Sequence, residues 1–393
     1  MEKIYYQTLK ETLFHEKLEN GLEVYLLPKV GFEKTYGLFS TNFGSIDTTF
    51  VPLGQKEMIK VEDAVGTILS HDVTQIIPGE FKGRLFKKGH IIKEEDIEKL
   101  LSIGKEHVYV WEPVEGQLHE NDAATRISNL VVGEGIKLSD EIKEGKVDFF
   151  ADIDGVLKID KEKLFKLNSV GEIIVSTLHN NTPIKKGEKV GATRVIPLII
   201  DEKRIITAEE LIKEKIISVS EIKPKKCLLI TTGNEVYKGR IKDAFLPVIK
   251  QKLGYYGSEV VRQVILPDEK ERIIEEIQKG IDEKVDMIIC TGGMSVDPDD
   301  VTPTAIKECG GELVTYGSPV LPGAMFLLAY HGDTPILGVP SCAMYSKRTV
   351  LDFVLPRVLS DERLSLEDIV EYGHGGLCLD CNVCTFPHCS FGK

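Results

Sequence analysis

From Lys225 to Leu359, short apolar runs alternate with longer segments of helical periodicity, and that alternation restricts the fold more than any other feature. CLLITT leads through TGNEVYKGRIKD into a helix over AFLPVIKQKLGYYG, and SEVVRQVIL leads into a helix over DEKERIIEEIQKGIDE. VDMIICTGG precedes a helix from Thr302 to Glu308, and PILGVP precedes a final helix near Tyr345 to Leu359. Strands alternating with helices in this way require a doubly wound, mostly parallel α/β sheet covered on both faces. Ligands of such sheets bind beyond the carboxyl ends of the strands.

Unusual residues stand at those ends. The first strand runs into Thr232-Gly233-Asn234-Glu235, and the strand through Cys290 runs into Thr291-Gly292-Gly293-Met294-Ser295. Glycines at a strand-to-helix turn let main chain approach a phosphate, and the Thr and Ser hydroxyls can donate to it. Either turn alone could be a tight αβ connection and nothing more. Carboxylates accompany both: Glu235 and Asp243 follow the first, and Asp297, Asp299 and Asp300 follow the second. Acids beside a phosphate cradle repel the ligand unless a hard divalent cation lies between them. Asp297 and Asp299 also suit plain capping of the next helix, which leaves Asp300 as the stronger functional candidate.

Four motifs occur in order: T-G-N-E-x-x-x-G-R-I-x-D at 232–243, T-G-G-M-S-V-D-P-D-D-V-T at 291–302, L-P-G at 321–323 and G-V-P at 338–340. In this order and spacing the segment resembles the molybdopterin-binding domain of molybdenum-cofactor biosynthesis proteins, including molybdopterin molybdenumtransferases. The resemblance implies molybdopterin held by Thr232, Gly233, Asn234, Thr291, Gly292, Gly293, Ser295, Pro322, Gly323, Pro340 and Ser341. It further implies catalysis by Asp300, Asp243 and Glu235, with Mg²⁺ at Asp243 and Asp300. The implied substrates are adenylated molybdopterin and molybdate, and the implied reaction is adenylate hydrolysis coupled to molybdate insertion. Where that family has P-G-K-P this chain has Pro322-Gly323-Ala324-Met325, and its G-L-P-G-N-P becomes Gly338-Val339-Pro340-Ser341-Cys342-Ala343. A non-catalytic molybdopterin carrier or sensor is therefore the alternative. Related domains self-associate, which leaves room for a homodimer.

Other textures precede this segment. Residues 1–56 alternate apolar and polar positions around Gly-containing turns, as two or three strands would. The run LENGLEVYLLPKVGFEKTYGLFSTNFGSIDTTFVPLG is similar to the start of pitrilysin- or insulinase-type metallopeptidases. The zinc motif H-x-x-E-H of that family is missing; KVEDAVGTILSHDVT offers a lone His71. Residues 57–114 suggest a small α+β module with a helix over Glu94 to Ser102 and a strand HVYVW. Residues 115–224 suggest a β-rich module, with a helix in HENDAATRISNLVV and lone histidines at His119 and His179. The α/β domain spans 225–365.

The last segment, 366–393, carries Cys378, Cys381, Cys384 and Cys389 in C-x2-C-x2-C-x4-C, with a Pro between the third and fourth cysteines. Four thiolates this close suit an iron–sulfur cluster (4Fe-4S) or a Cys₄ zinc site, the spacing lying nearer the ferredoxin run. His374 and His388 are alternatives to one thiolate. Cys227, Cys290, Cys309 and Cys342 stand mostly in apolar contexts and read as buried inert thiols. A formal net charge of -13 argues against nucleic acid and anionic membranes as partners. The chain has neither a membrane-spanning run nor a signal-peptide core near its start, so a cytoplasmic protein is expected.

Overall fold

The computed structural model describes residues 2–6, 11–17, 23–26, 56–77, 81–111, 115–295, 297 and 300–393. The chain divides into two units, Met1–Val51 and Pro52–Lys393. In the first, Glu2–Tyr6, Glu11–Lys17 and Glu23–Leu26 form an antiparallel meander. Residues 27–55 lie outside the described residues, as do Val296, Pro298 and Asp299.

The second unit opens with a small α+β layer. Lys56–Lys60, His107–Trp111 and Ile68–Leu69 form a sheet, Val73–Ile77 and Phe81–Phe86 a hairpin, and Glu94–Ser102 the expected helix. Val61, Leu69, Val73, Phe86, Ile92, Leu100, Val108 and Val110 close its core. His71 packs edge-on against Tyr109.

Residues 115–224 are β-rich as expected, but two further helices, Lys161–Asn168 and Glu202–Leu211, cover the strands. Each is started by an aspartate whose side chain caps its first turn: Asp160 accepts from the Lys163 N–H and Asp201 from the Lys203 N–H. Arg126 joins the helix Glu120–Val131 to Glu202–Leu211 through Glu202 (2.6 Å) and Glu209 (2.7 Å).

The α/β domain follows. Its elements are β1 (Lys226–Thr232), α1 (Phe245–Tyr255), β2 (Glu259–Leu266), α2 (Lys270–Asp282), β3 (Met287–Thr291), α3 (Thr302–Glu308), β4 (Glu312–Tyr316), β5 (Leu327–His331), β6 (Thr334–Val339) and α4 (Leu351–Leu359). The spatial strand order is β2-β1-β3-β6-β5-β4. β2, β1, β3 and β6 run parallel, while β5 and β4 add an antiparallel edge. That edge was not legible as strands in the sequence.

Alternation along β1 separates two cores. Cys227 and Leu229 face one side with Ile249 and Leu253 of α1 and the apolar residues of α4; Leu228 and Ile230 face the other with Ile273 and Ile277 of α2 and Ile306 of α3. Burying each such side chain contributes about 1.5–3 kcal/mol relative to exposure, which fixes the helices to opposite faces. The last helix begins at Leu351, later than the sequence suggests. Ser341–Met344 forms a separate 3-10 turn, and Asp352, in the first turn of α4, accepts from the Thr349 N–H ahead of the helix.

The cysteine-bearing end is folded rather than trailing. Phe391 is 3% exposed and packs on Phe353 of α4 at 4.5 Å between ring centroids. The Gly392 N–H donates to the Gly375 carbonyl at 3.0 Å. Arg357, 2% exposed, holds the following turn by donating to Glu362, Asp368 and the Tyr372 hydroxyl.

Candidate functional site

From β1 the chain crosses on the α1 face to β2, then returns on the α2 face to β3 on the other side of β1. The order therefore reverses between β1 and β3. At such a point adjacent connections leave in opposite directions and a crevice opens at the strand ends. The parallel register sets Thr231 beside Thr291, Thr291 beside Val339, and Thr232 beside Leu266. The turns beginning at Gly233, Gly292 and Pro340 thus emerge side by side.

The two glycine turns touch. Gly292 has φ +85°, and a Cβ there would lie 2.1 Å from the Thr232 carbonyl oxygen. Gly293, at φ +53°, leaves room for only 2.8 Å to the Thr302 hydroxyl and 3.1 Å to the Thr232 hydroxyl. Those two hydroxyls are 3.2 Å apart, and both residues are buried. Beneath them the Thr291 hydroxyl donates to Thr231 Oγ1 at 3.3 Å. Gln263 on β2 then donates to Thr231 Oγ1 at 3.1 Å and to Asp243 Oδ2 at 2.6 Å.

Asp243 also accepts from the Phe245 and Leu246 N–H groups, at 2.9 and 3.2 Å. It is thereby the cap of α1 as well as a neighbour of the crevice. Asp300 accepts from the Ser295 N–H at 2.9 Å, closing the loop after β3. The Tyr316 hydroxyl, at the end of β4, donates to the main-chain carbonyls of Met294 and Ser295.

Asp268 was not singled out in the sequence, although Leu266-Pro267-Asp268 ends the strand beside β1 and carries an acid as the other turns do. Its carboxylate accepts from the Asn234 N–H at 2.9 Å. Burial pushes its pKa up, and the neighbouring charges of Glu235 and Asp300 push the same way against the Asn234 and Thr232 hydrogen bonds. Asp268, held at the turn by Asn234, is thus within electrostatic reach of both Glu235 and Asp300. Gln263, Thr302 and Tyr316 are further residues the sequence did not mark; each is meaningful only through a partner distant in the chain.

The remaining motif residues are placed by α4 and by β6. Gly323, at φ +132°, abuts Val350: a Cβ there would meet Val350 Cγ1 at 2.7 Å. The Val350 N–H donates to the Pro322 carbonyl. Gly338 admits Met294, whose methyl would lie 2.4 Å from a Cβ. Pro340 and Ser341 open the 3-10 turn that follows β6. A cavity of about 490 Å³ lies away from these strand ends, among Asp154, Lys185, Ile222, Tyr255, Tyr256 and Pro387. None of the candidate crevice residues lines it, although His388, a candidate alternative to one tail thiolate, does.

Among the described residues no three His, Cys, Asp or Glu side chains converge to hold a single metal ion. Asp243 and Asp300, the residues expected to bind Mg²⁺, do not form such a group. No helix of the described residues is long and apolar enough to cross a membrane. The scattered thiols behave as expected: Cys227 and Cys290 are fully buried, and burial pushes both well up. Cys309 is buried and Cys342 partly so.

Residues 228–360 match a family described as "Probable molybdopterin binding domain", and residues 58–112 match a domain of unknown function. Over 89 residues the chain is 47% identical to the uncharacterized zinc protease YmfH of Bacillus subtilis, covering 23% of this chain and 21% of YmfH. It is 38% identical over 91 residues to a CinA-like protein of Thermosipho melanesiensis, covering 23% of this chain and 22% of that protein. The chain therefore spans only about a fifth of the length of each of these relatives. Among solved structures, the molybdopterin biosynthesis enzyme MoaB of Thermus thermophilus is similar at 23% identity and a TM-score of 0.28, covering 35% of this chain and 94% of that one.

Proposed function

We propose that the α/β domain binds molybdopterin in the crevice between β1 and β3, and that the chain serves molybdenum cofactor biosynthesis by inserting molybdate into adenylated molybdopterin. The observation that carries this reading is the contact of two glycine turns at the point where strand order reverses, with Gly292 packed main chain to main chain against Thr232. A phosphate can approach such turns closely, and the Ser295 hydroxyl can donate to it, whereas the Thr232 hydroxyl is buried against Thr302. Pro322, Gly323, Pro340 and Ser341 would border the pterin end.

Asp268 feels the charges of both Glu235 and Asp300, while among the described residues no three acids converge on one point. This arrangement fits Mg²⁺, which is commonly held by one or two carboxylates and completed by water and ligand phosphates. Bound there through Asp300, Mg²⁺ would supply charge neutralisation at the phosphoryl group. Asp300 also fixes the Ser295 main chain, and Asp243 steadies the β1 turn through Gln263.

AMP release from adenylated molybdopterin, dependent on molybdate and Mg²⁺ and abolished by Asp300→Ala, is the expected result. A specific observation favours a second reading: the position after Pro322-Gly323 is Ala324, which supplies no cation. A carrier or sensor would bind molybdopterin without ever releasing AMP, and that outcome removes molybdate insertion. A wild-type chain that fails to bind molybdopterin removes both.

A further inference from the structure

The tail thiols remain outside the crevice chemistry. Cys378, Cys381, Cys384 and Cys389 all line one small cavity, together with Lys347 and Arg348. None is in a disulfide. The loop bearing them is tied at both ends. Main-chain bonds join Leu321 to Gly376 and Cys378 to Leu321, each at 2.8 Å, and Phe391 closes the other end beneath Phe353 and Phe386. Lys347 Nζ donates to the Cys381 and Asn382 carbonyls, at 2.9 and 3.2 Å. Arg348 is held by Asp352 at 2.8 Å and stacks over Phe386.

We propose that Cys378, Cys381, Cys384 and Cys389 bind a 4Fe–4S cluster, mounted on the Leu321-Pro322-Gly323 turn through the main chain of Cys378. The spacing C-x2-C-x2-C-x4-C, with Pro387 between the third and fourth cysteines, lies nearer the ferredoxin run than the paired ligands of a zinc site. A cubane holds its four thiolates at its corners, around a body of iron and sulfide, and so asks for thiols arranged about a cavity. Charge agrees: four thiolates make the cluster net anionic, and Lys347 and Arg348 are the cations at the cavity. This assignment is independent of pterin binding, since neither the ligands nor the cavity belongs to the crevice.

The full chain, reconstituted anaerobically with ferrous iron and sulfide, is expected to turn brown and to carry about four iron and four sulfide per chain. Its visible absorption should bleach on reduction with dithionite. The double variant Cys381→Ser/Cys384→Ser alters two exposed residues, so it should fold as the parent does by far-UV circular dichroism yet retain under a tenth of the iron. Cys227→Ser, remote from the tail, should keep the full complement. A colourless parent, one zinc per chain in place of iron, or undiminished iron in the double variant overturns the assignment.

Discussion

Gly292→Ala tests the claim that two turns meet too closely for any side chain. The new Cβ would stand 2.1 Å from the Thr232 carbonyl oxygen, 2.9 Å from its carbon and 3.0 Å from its hydroxyl. Thr232 cannot easily retreat, because it belongs to the ladder with β2 and its hydroxyl meets Thr302. An L-residue at φ +85° costs about 1–2 kcal/mol, and forcing neighbours apart in a packed region adds about 1–3 kcal/mol. Gly239 provides the control. It has φ +66° with nothing within 4 Å of an added Cβ, so Gly239→Ala should show the backbone cost alone. For a domain of this size roughly 3–6 °C accompanies each kcal/mol, so calorimetry should place Gly292→Ala about 10 °C or more below the parent and Gly239→Ala about half as far or less. The single tryptophan, Trp111, lies in another module and its fluorescence would not report this domain. Equal shifts for the two variants, or none for Gly292→Ala, would refute the contact and with it the juxtaposition of the two turns on which the proposed crevice rests.

Arg357→Ala should destabilise the α/β domain by about 3 kcal/mol, the lower end for a broken buried pair, because Glu362 and Asp368 keep some access to water; a denaturant midpoint within error of the parent's contradicts this. The same cluster predicts acid sensitivity. Burial raises Glu362 and Asp368, but Arg357 and other donors, with Lys158 at Glu362 and Ser365 at Asp368, outweigh it and hold both carboxyls below their ordinary range. The stabilisation they contribute is present above the unfolded pKa of about 4 and is lost as pH falls through the lower folded values, so Arg357→Met should flatten the acid limb of a stability–pH profile. Asp268 has the opposite sign, since its raised pKa means that charging it disfavours the fold as pH rises. Asp268→Asn should therefore leave the apo chain at least as stable at pH 7 while weakening the rise in melting temperature produced by Mg²⁺; an undiminished Mg²⁺ effect would exclude Asp268 from the cation's surroundings.

Much of the α/β domain was legible in its sequence because apolar strands such as MIICT and amphipathic helices such as KERIIEEIQKGID carry their periods locally. The glycine turns were legible too, since few other residues tolerate φ +85° and a close main-chain neighbour. The edge strands Glu312–Tyr316 and Leu327–His331 were missed, because their pairing partners alone distinguish them from loop. The helices Lys161–Asn168 and Glu202–Leu211 were hidden likewise in a region whose strands dominate the pattern.

What the sequence determined by itself was the chemistry available: two glycine turns with acids, and four cysteines at cluster spacing. Tertiary structure decided how those groups are used. Strand order, set by the burial of α1 and α2 on opposite faces, brought Gly292 against Thr232 and drew Asp268 toward Glu235 and Asp300. Packing of Phe391 under Phe353 and the pairing of Leu321 with the tail turned a run of cysteines into the wall of one cavity. The physical reason is common to both cases. Residue type fixes which hydrogen bonds and charges a segment can offer, whereas the distance between segments follows from which apolar faces the whole chain must bury together.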